Sequence, residues 1–266
     1  MMLLKLSSLH IMPKRILAAS VIVLIVLVSA LLVLRAETYN NPVAATRERY
    51  RPLIGGIQVY NYVIMDYCTT GYVARDSYGR LGIVTAGHCS SFERNVVFFQ
   101  PTAYPDNEIG RVDIVSRDVD AAFIPTSQVT PSILHITGSG GTYFANIWPV
   151  YGYVDFYTLR DQKNVYNLLP FYKTGRTTGT TSGEVERVYE SFYFDYLHGY
   201  VCYVIETTVH IESSDSGSPL YQISSRGDGV LLFGHFIAYE RESPYTYAIS
   251  ITGGENYLGV TPVTGG

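Results

Sequence analysis

Three short stretches of the chain carry side chains that could act together on a carbonyl compound. His88 closes "LGIVTAGH", Asp120 opens "DAAFIP", and Ser216 lies in "SDSGSP" between Asp215 and Gly217. A serine hydroxyl becomes a nucleophile when an imidazole takes its proton and a carboxylate fixes the imidazole's tautomer. Backbone N–H groups must also stand where negative charge develops on the attacked oxygen. Taken singly the pieces are weak. A histidine after a strand is usually a packed structural residue, an aspartate before an apolar run is often an edge charge, and "DSG" is a common turn. Found together, in the order His, Asp, Ser, they support one another. Asp118, two residues before Asp120, competes for the carboxylate's place.

The elements that must position these residues read as strands. Short apolar or alternating runs such as "GIQVYNYVIM", "NVVFFQ", "YVCYVIETTVHI" and "GVLLFGHFIAY" recur between Gly, Pro, Asn, Asp and Ser. Tyrosine is abundant, 24 of 266 residues, alongside much Val, Ile, Thr and Gly, a mixture that favours strands and turns. No amphipathic helix of convincing length follows residue 36. An all-β fold is expected. The net charge of −4 implies no basic face, so nucleic acid is not an expected partner.

The N-terminus is different. Residues 16–34 carry no charge, and a helix of that length would span about 28 Å, close to the hydrocarbon core of a bilayer. Lys5, Lys14 and Arg15 precede it, so residues 1–15 are expected in the cytoplasm, 16–35 as a membrane anchor, and the rest outside. "VSA" at residues 28–30 also suits a cleaved signal peptide, and both readings export the chain. Residues 36–52 read as a tether to a domain covering 53–266. Export gives weight to the three cysteines, Cys68, Cys89 and Cys202, of which an odd one is left over. No spacing suggests a metal site, and no cofactor is implied.

"TAGHC", "VDAAFI" and "SDSGSP" together resemble the chymotrypsin-fold serine proteases, whose catalytic residues follow the same chain order. The likeness is stronger to the bacterial branch, the α-lytic protease and streptogrisin group. "LIGGIQVY" resembles the start of a mature domain there, "CTTGYVARD" with "GIVTAGHC" its first disulfide loop, and "KTGRTTGTTSGEV" its second-barrel signature. The resemblance runs from about Leu53 to Tyr239. It implies two antiparallel six-stranded barrels, here about 53–150 and 151–266, with the active site between them and a protein or peptide as substrate. Ser216 would be the nucleophile, His88 the base and then the acid, and Asp120 the orienting carboxylate. The family's small and apolar positions after the aspartate fall on Ala122 and Ile124 when Asp120 is chosen. Cys68 and Cys89 would be joined, bracing the loop that presents His88, and Arg176 would pair with Asp215. Cys202 has no matching partner and reads as a buried free thiol or an intermolecular bridge.

The pattern departs from the family at three places. Ser214 stands where glycine is usual two residues before the nucleophile, although its N–H and that of Ser216 should form the oxyanion hole. Serine reaches glycine's positive φ only with strain, which leaves open a weak enzyme, or a protease-fold module that binds peptides or a surface partner. "HFIAYE" replaces a serine and glycines, so Tyr239 would block a deep pocket or stack on substrate. His210, near the implied pocket base, would favour an acidic side chain or be an ordinary strand residue. A structural, tyrosine-rich surface protein would not account for the ordered motifs.

Overall fold

The computed structural model describes residues 38–240 and 242–265. The expected cytoplasmic segment and membrane or signal helix lie outside these residues. No helix among the described residues is long and apolar enough to cross a membrane.

The fold is mostly β, in two curled sheet systems. In the first, Leu81–Ala86 lies between Tyr72–Asp76 and Ala121–Pro125, with Val260–Pro262 and Ile114–Ser116 at the edges. A four-stranded sheet of Asp66–Thr69, Gln58–Asn61, Val97–Phe99 and Glu108–Arg111 closes against it. Ala121–Pro125 is almost wholly buried, which explains why it reads as a continuous apolar run and not as alternation. The second system is an 11-stranded sheet that includes Phe171–Gly175, Gly199–Thr207, Pro219–Ile223, Val230–Tyr239 and Thr246–Ser250. Ile83, Val84, Phe98 and Phe123 anchor one buried cluster, and Phe171, Leu220, Phe233 and Phe236 another.

Three expectations change. The segment 38–52 is packed on the domain and is not a free tether. Thr38–Tyr39 pairs with Thr142–Tyr153, and Ala45 and Thr46 are fully buried. Its polar sequence hid this, because besides the backbone pairing and one buried turn its contacts are polar ones, Arg49 donating to Asn107 Oδ1 at 3.1 Å and Arg51 to Gln100 Oε1 at 2.7 Å. The boundary near residue 150 also fails to divide the sheets. Val129–Ser139 and Thr142–Tyr153 form a long hairpin of the second sheet, while Val260–Pro262, at the far end of the chain, returns to the first. Such exchange covers edge strands that would otherwise be left unpaired. Finally, a helix occupies Phe156–Tyr166, capped by Asp155, whose side chain accepts from the N–H of Tyr157 and Thr158. Only Phe156 and Leu159 of it are buried, too thin a stripe to register as amphipathic.

Candidate active site

Strand register brings the histidine and the aspartate together. Ala86 pairs with Ala121 as the last rung between Leu81–Ala86 and Ala121–Pro125. The residues just beyond, Gly87 and His88 on one chain and Asp120 on the other, therefore leave the sheet side by side. Gly87 allows the close passage, since a Cβ there would stand 2.9 Å from the backbone nitrogen of Ala121. The Asp120 carboxylate is fully buried. Its Oδ1 accepts from the backbone N–H of His88 at 2.8 Å, and its Oδ2 lies 2.8 Å from His88 Nδ1. Asp118 is exposed, and its carbonyl is taken by the N–H of Cys202 at 2.7 Å.

The charges reinforce each other. Burial by itself would lower the His88 pKa. The charge and hydrogen bond of Asp120, with Asp66 farther off, outweigh burial and raise it. Burial would likewise raise Asp120, but His88 and the hydrogen bonds it receives hold it below the usual carboxylate range. Behind the pair, burial depresses His235 to about 4, so this ring is neutral. Its Nε2 is 3.2 Å from the Asp120 carbonyl oxygen, which can only accept, so the proton sits on Nε2.

The disulfide is formed as the resemblance implied. Cys68 and Cys89 are joined, with Cα atoms 6.3 Å apart. The Asn61 side chain donates to the Cys89 carbonyl at 2.7 Å and further fixes the turn that carries His88.

Ser216 sits in a turn tied to the first sheet. Its carbonyl accepts from the N–H of Thr69 at 2.9 Å, and the Ser214 carbonyl accepts from the Thr69 hydroxyl at 3.0 Å. Gly217 has φ +88°, and a Cβ there would run into the Thr69 carbonyl and the Thr85 hydroxyl. Ser214 takes φ +70°, the left-handed backbone that glycine adopts freely. The N–H groups of Ser214 and Ser216 donate to no partner among the described residues, the condition an oxyanion hole requires.

The expected pairing of Arg176 with Asp215 is not present. Lys173 takes that place, with Nζ 3.1 Å from Asp215 Oδ2 and both side chains wholly buried. Thr178 donates to the same oxygen at 2.6 Å, and the N–H of Thr177 donates to Oδ1 at 2.7 Å. Burial lowers the Lys173 pKa, and the adjacent carboxylate resists that shift. Arg176 instead donates to Gln58 Oε1 at 2.8 Å and lies over the Tyr67 ring. The "GRTTG" loop thus serves Asp215 through backbone and threonine, while the cation comes from the strand before it. The signal was present. Lys173 shares a strand face with Phe171, and that face is buried.

His88, Ser214, Ser216, Tyr196 and Tyr239 line one cleft of about 330 Å³. Beside it a cavity of about 710 Å³ is bordered by His210, Glu212, Tyr239, Glu240 and Tyr245. His210 Nε2 is 3.4 Å from Glu212 Oε1, and both side chains are largely exposed. Cys202 carries a free, half-buried thiol that the Tyr257 hydroxyl approaches at 3.4 Å. One residue escaped the sequence entirely: the Tyr196 hydroxyl donates to Asp120 Oδ2 at 2.8 Å. Nothing in "FDYLHG" distinguishes it from the chain's many other tyrosines.

The sheet arrangement is the chymotrypsin fold. No protein-family model and no curated protein sequence matches the chain. Solved structures do. Thermobifida fusca protease A aligns with a TM-score of 0.59 at 21% identity, covering 80% of this chain and 98% of that one. Nocardiopsis protease aligns at 0.57 with 20% identity, covering 79% and 97%. A glutamic acid-specific serine protease, described as using a histidine triad in substrate binding, aligns at 0.58 with 19% identity, covering 79% and 100%.

Proposed function

We propose that the chain is a serine endopeptidase built on its two curled sheet systems, exported and tethered to the outer face of a membrane by residues 16–35. The carrying observation is the 2.8 Å contact of His88 Nδ1 with a buried, ionised Asp120, at the edge of the cleft that Ser216 also lines. With Nδ1–H donating to Asp120, Nε2 is the free lone pair. It takes the Ser216 Oγ proton as that oxygen attacks the scissile carbonyl, and Asp120 stabilises the resulting imidazolium. The oxyanion accepts from the N–H groups of Ser214 and Ser216. Collapse breaks the C–N bond, the amine leaves with the proton from His88 Nε2, and an acyl-enzyme remains. Water, deprotonated by His88, attacks the acyl carbon and releases the acid and Ser216.

The strongest ground for a non-catalytic binding module was Ser214 in place of glycine. Its φ of +70° supports catalysis instead, because the turn takes the conformation glycine would give it. A preference for acidic substrates through His210 finds little support. The adjoining cavity also presents Glu212 and Glu240, which would repel a carboxylate.

The test is exposure of the full chain to a fluorophosphonate, followed by mass spectrometry, beside Ser216→Ala. A single adduct on Ser216, absent from the variant, is expected. A folded protein with the disulfide intact and no adduct would favour the binding module.

A further inference from the structure

Tyr196 lies in the short turn Asp195–Leu197 between the paired strands Val185–Phe194 and Gly199–Thr207. It belongs to the second sheet, yet its hydroxyl reaches Asp120 at the edge of the first, 76 residues away, and donates to Oδ2 at 2.8 Å. The same oxygen faces His88 Nδ1, while Oδ1 takes the His88 N–H. The Tyr196 ring meets the His88 ring edge-on, with centroids 6.1 Å apart, and Phe194 backs it at 5.6 Å. Despite its buried hydroxyl contact the residue is 49% exposed, because the ring's outer side forms a wall of the catalytic cleft. The same ring also walls an adjoining pocket of about 300 Å³ with Phe192, Phe194, Tyr239 and Tyr247.

Resting on the protease reading, we propose that Tyr196 is a positioning residue for the catalytic aspartate: its hydroxyl holds the Asp120 carboxylate in the plane that accepts His88 Nδ1. Without Tyr196 the donors to the Asp120 carboxylate would come from His88 alone, through its backbone N–H on Oδ1 and its ring on Oδ2. The Tyr196 hydroxyl adds a donor from the other sheet, which holds the carboxylate in place independently of the His88 ring. The hydroxyl also draws charge from Oδ2 and so tempers the pull of Asp120 on the His88 proton. Burial and the neighbouring carboxylate push the Tyr196 pKa well above its ordinary value, so it remains a donor throughout the working range.

The other groups facing His88 are few. Asp66 on Asp66–Thr69 acts on it by charge, and His235 on Val230–Tyr239 is neutral behind the Asp120 carbonyl. Neither changes when the tyrosine hydroxyl is removed.

The experiment is an NMR titration of ¹³C-histidine-labelled full-length protein, wild type against Tyr196→Phe, with Phe194→Leu as the control that loosens the ring but keeps the hydroxyl. In Tyr196→Phe the His88 midpoint should rise by roughly 0.5–1 pH unit, the size of one lost hydrogen bond, and should stay in place in Phe194→Leu. On a peptide substrate, Tyr196→Phe should lower kcat about tenfold at unchanged KM. An unmoved midpoint in Tyr196→Phe, or an equal movement in Phe194→Leu, overturns the proposal. A moved midpoint in a protein that neither cleaves peptides nor takes fluorophosphonate upholds the positioning role and defeats the protease reading.

Discussion

Lys173 and Asp215 form a wholly buried ion pair, Nζ to Oδ2 at 3.1 Å, directly behind the turn that presents Ser216. Asp215 immediately precedes the proposed nucleophile, so whatever fixes its carboxylate also fixes the backbone on either side of it, at Ser214 and Ser216. Thr177, Thr178 and Glu212 complete its ring of donors. A buried pair of this kind is weak evidence for net stability, but removing one partner is severe, because the other charge is left stranded.

Lys173→Met should therefore destabilise the fold by about 3–5 kcal/mol and weaken fluorophosphonate labelling of Ser216. Arg176→Gln should cost about 1 kcal/mol, the scale of its bond to Gln58. Urea denaturation of the two variants separates the cases. Equal effects would return Arg176 to the role the sequence suggested.

The backbone at Ser214 makes a second prediction. A left-handed non-glycine residue costs roughly 1–2 kcal/mol, and glycine returns part of that as unfolded-state entropy. Ser214→Gly should stabilise by up to about 1 kcal/mol without loss of turnover, while Ser214→Val should destabilise by more than about 1 kcal/mol. Thermal denaturation with parallel peptide hydrolysis measures both, and a neutral Val variant would mean the turn relaxes away from φ +70°.

For Asp120→Asn the expected fall in kcat is about 10⁴-fold, because the amide can present its N–H to Nδ1 and hold the wrong tautomer. A fall under tenfold would remove Asp120 from the mechanism.

The pH dependence follows from the two shifts. His88 must be neutral to act as base and its pKa is raised, so kcat/KM should fall on the acid side with a midpoint above the ordinary 6.5. Stability carries opposite signs for the two partners. The raised His88 stabilises fully below its unfolded pKa, and that contribution is lost as pH rises through the folded value. The depressed Asp120 stabilises above its unfolded pKa and loses its contribution as pH falls through the folded value. Urea midpoints of Ser216→Ala measured from pH 3 to 9 should peak between those limits. A monotonic rise with pH would contradict the raised histidine.

Replacing Cys68 and Cys89 by alanine should cost about 3 kcal/mol in the chain-entropy account of a 21-residue separation. Calorimetry of the double variant checks it.

The sequence by itself determined what depends on residue type and short spacing. Alternating and apolar runs specified strands. The ordered motifs singled out His88, Asp120 and Ser216. Asp120 was preferred to Asp118 because the small and apolar positions of the family it resembles fall on Ala122 and Ile124, and the register of Ala121 on Ala86 gives that choice its geometry. The cost at Ser214 was also legible, since φ > 0 is a property of one residue.

Only the tertiary structure decided what depends on residues meeting across elements. Lys173 rather than Arg176 reaches Asp215, because a strand face turned inward outranks a loop position. Although Lys173 shares its face with Phe171, which carboxylate it would meet there is set elsewhere in the chain. Tyr196 reaches Asp120 from the other sheet system, a contact with no local pattern. The packing of 38–52 depends on pairing with a hairpin a hundred residues away. Strand formation is a local property of the chain. Which side chain neutralises a buried carboxylate is set by the folding of distant strands against each other.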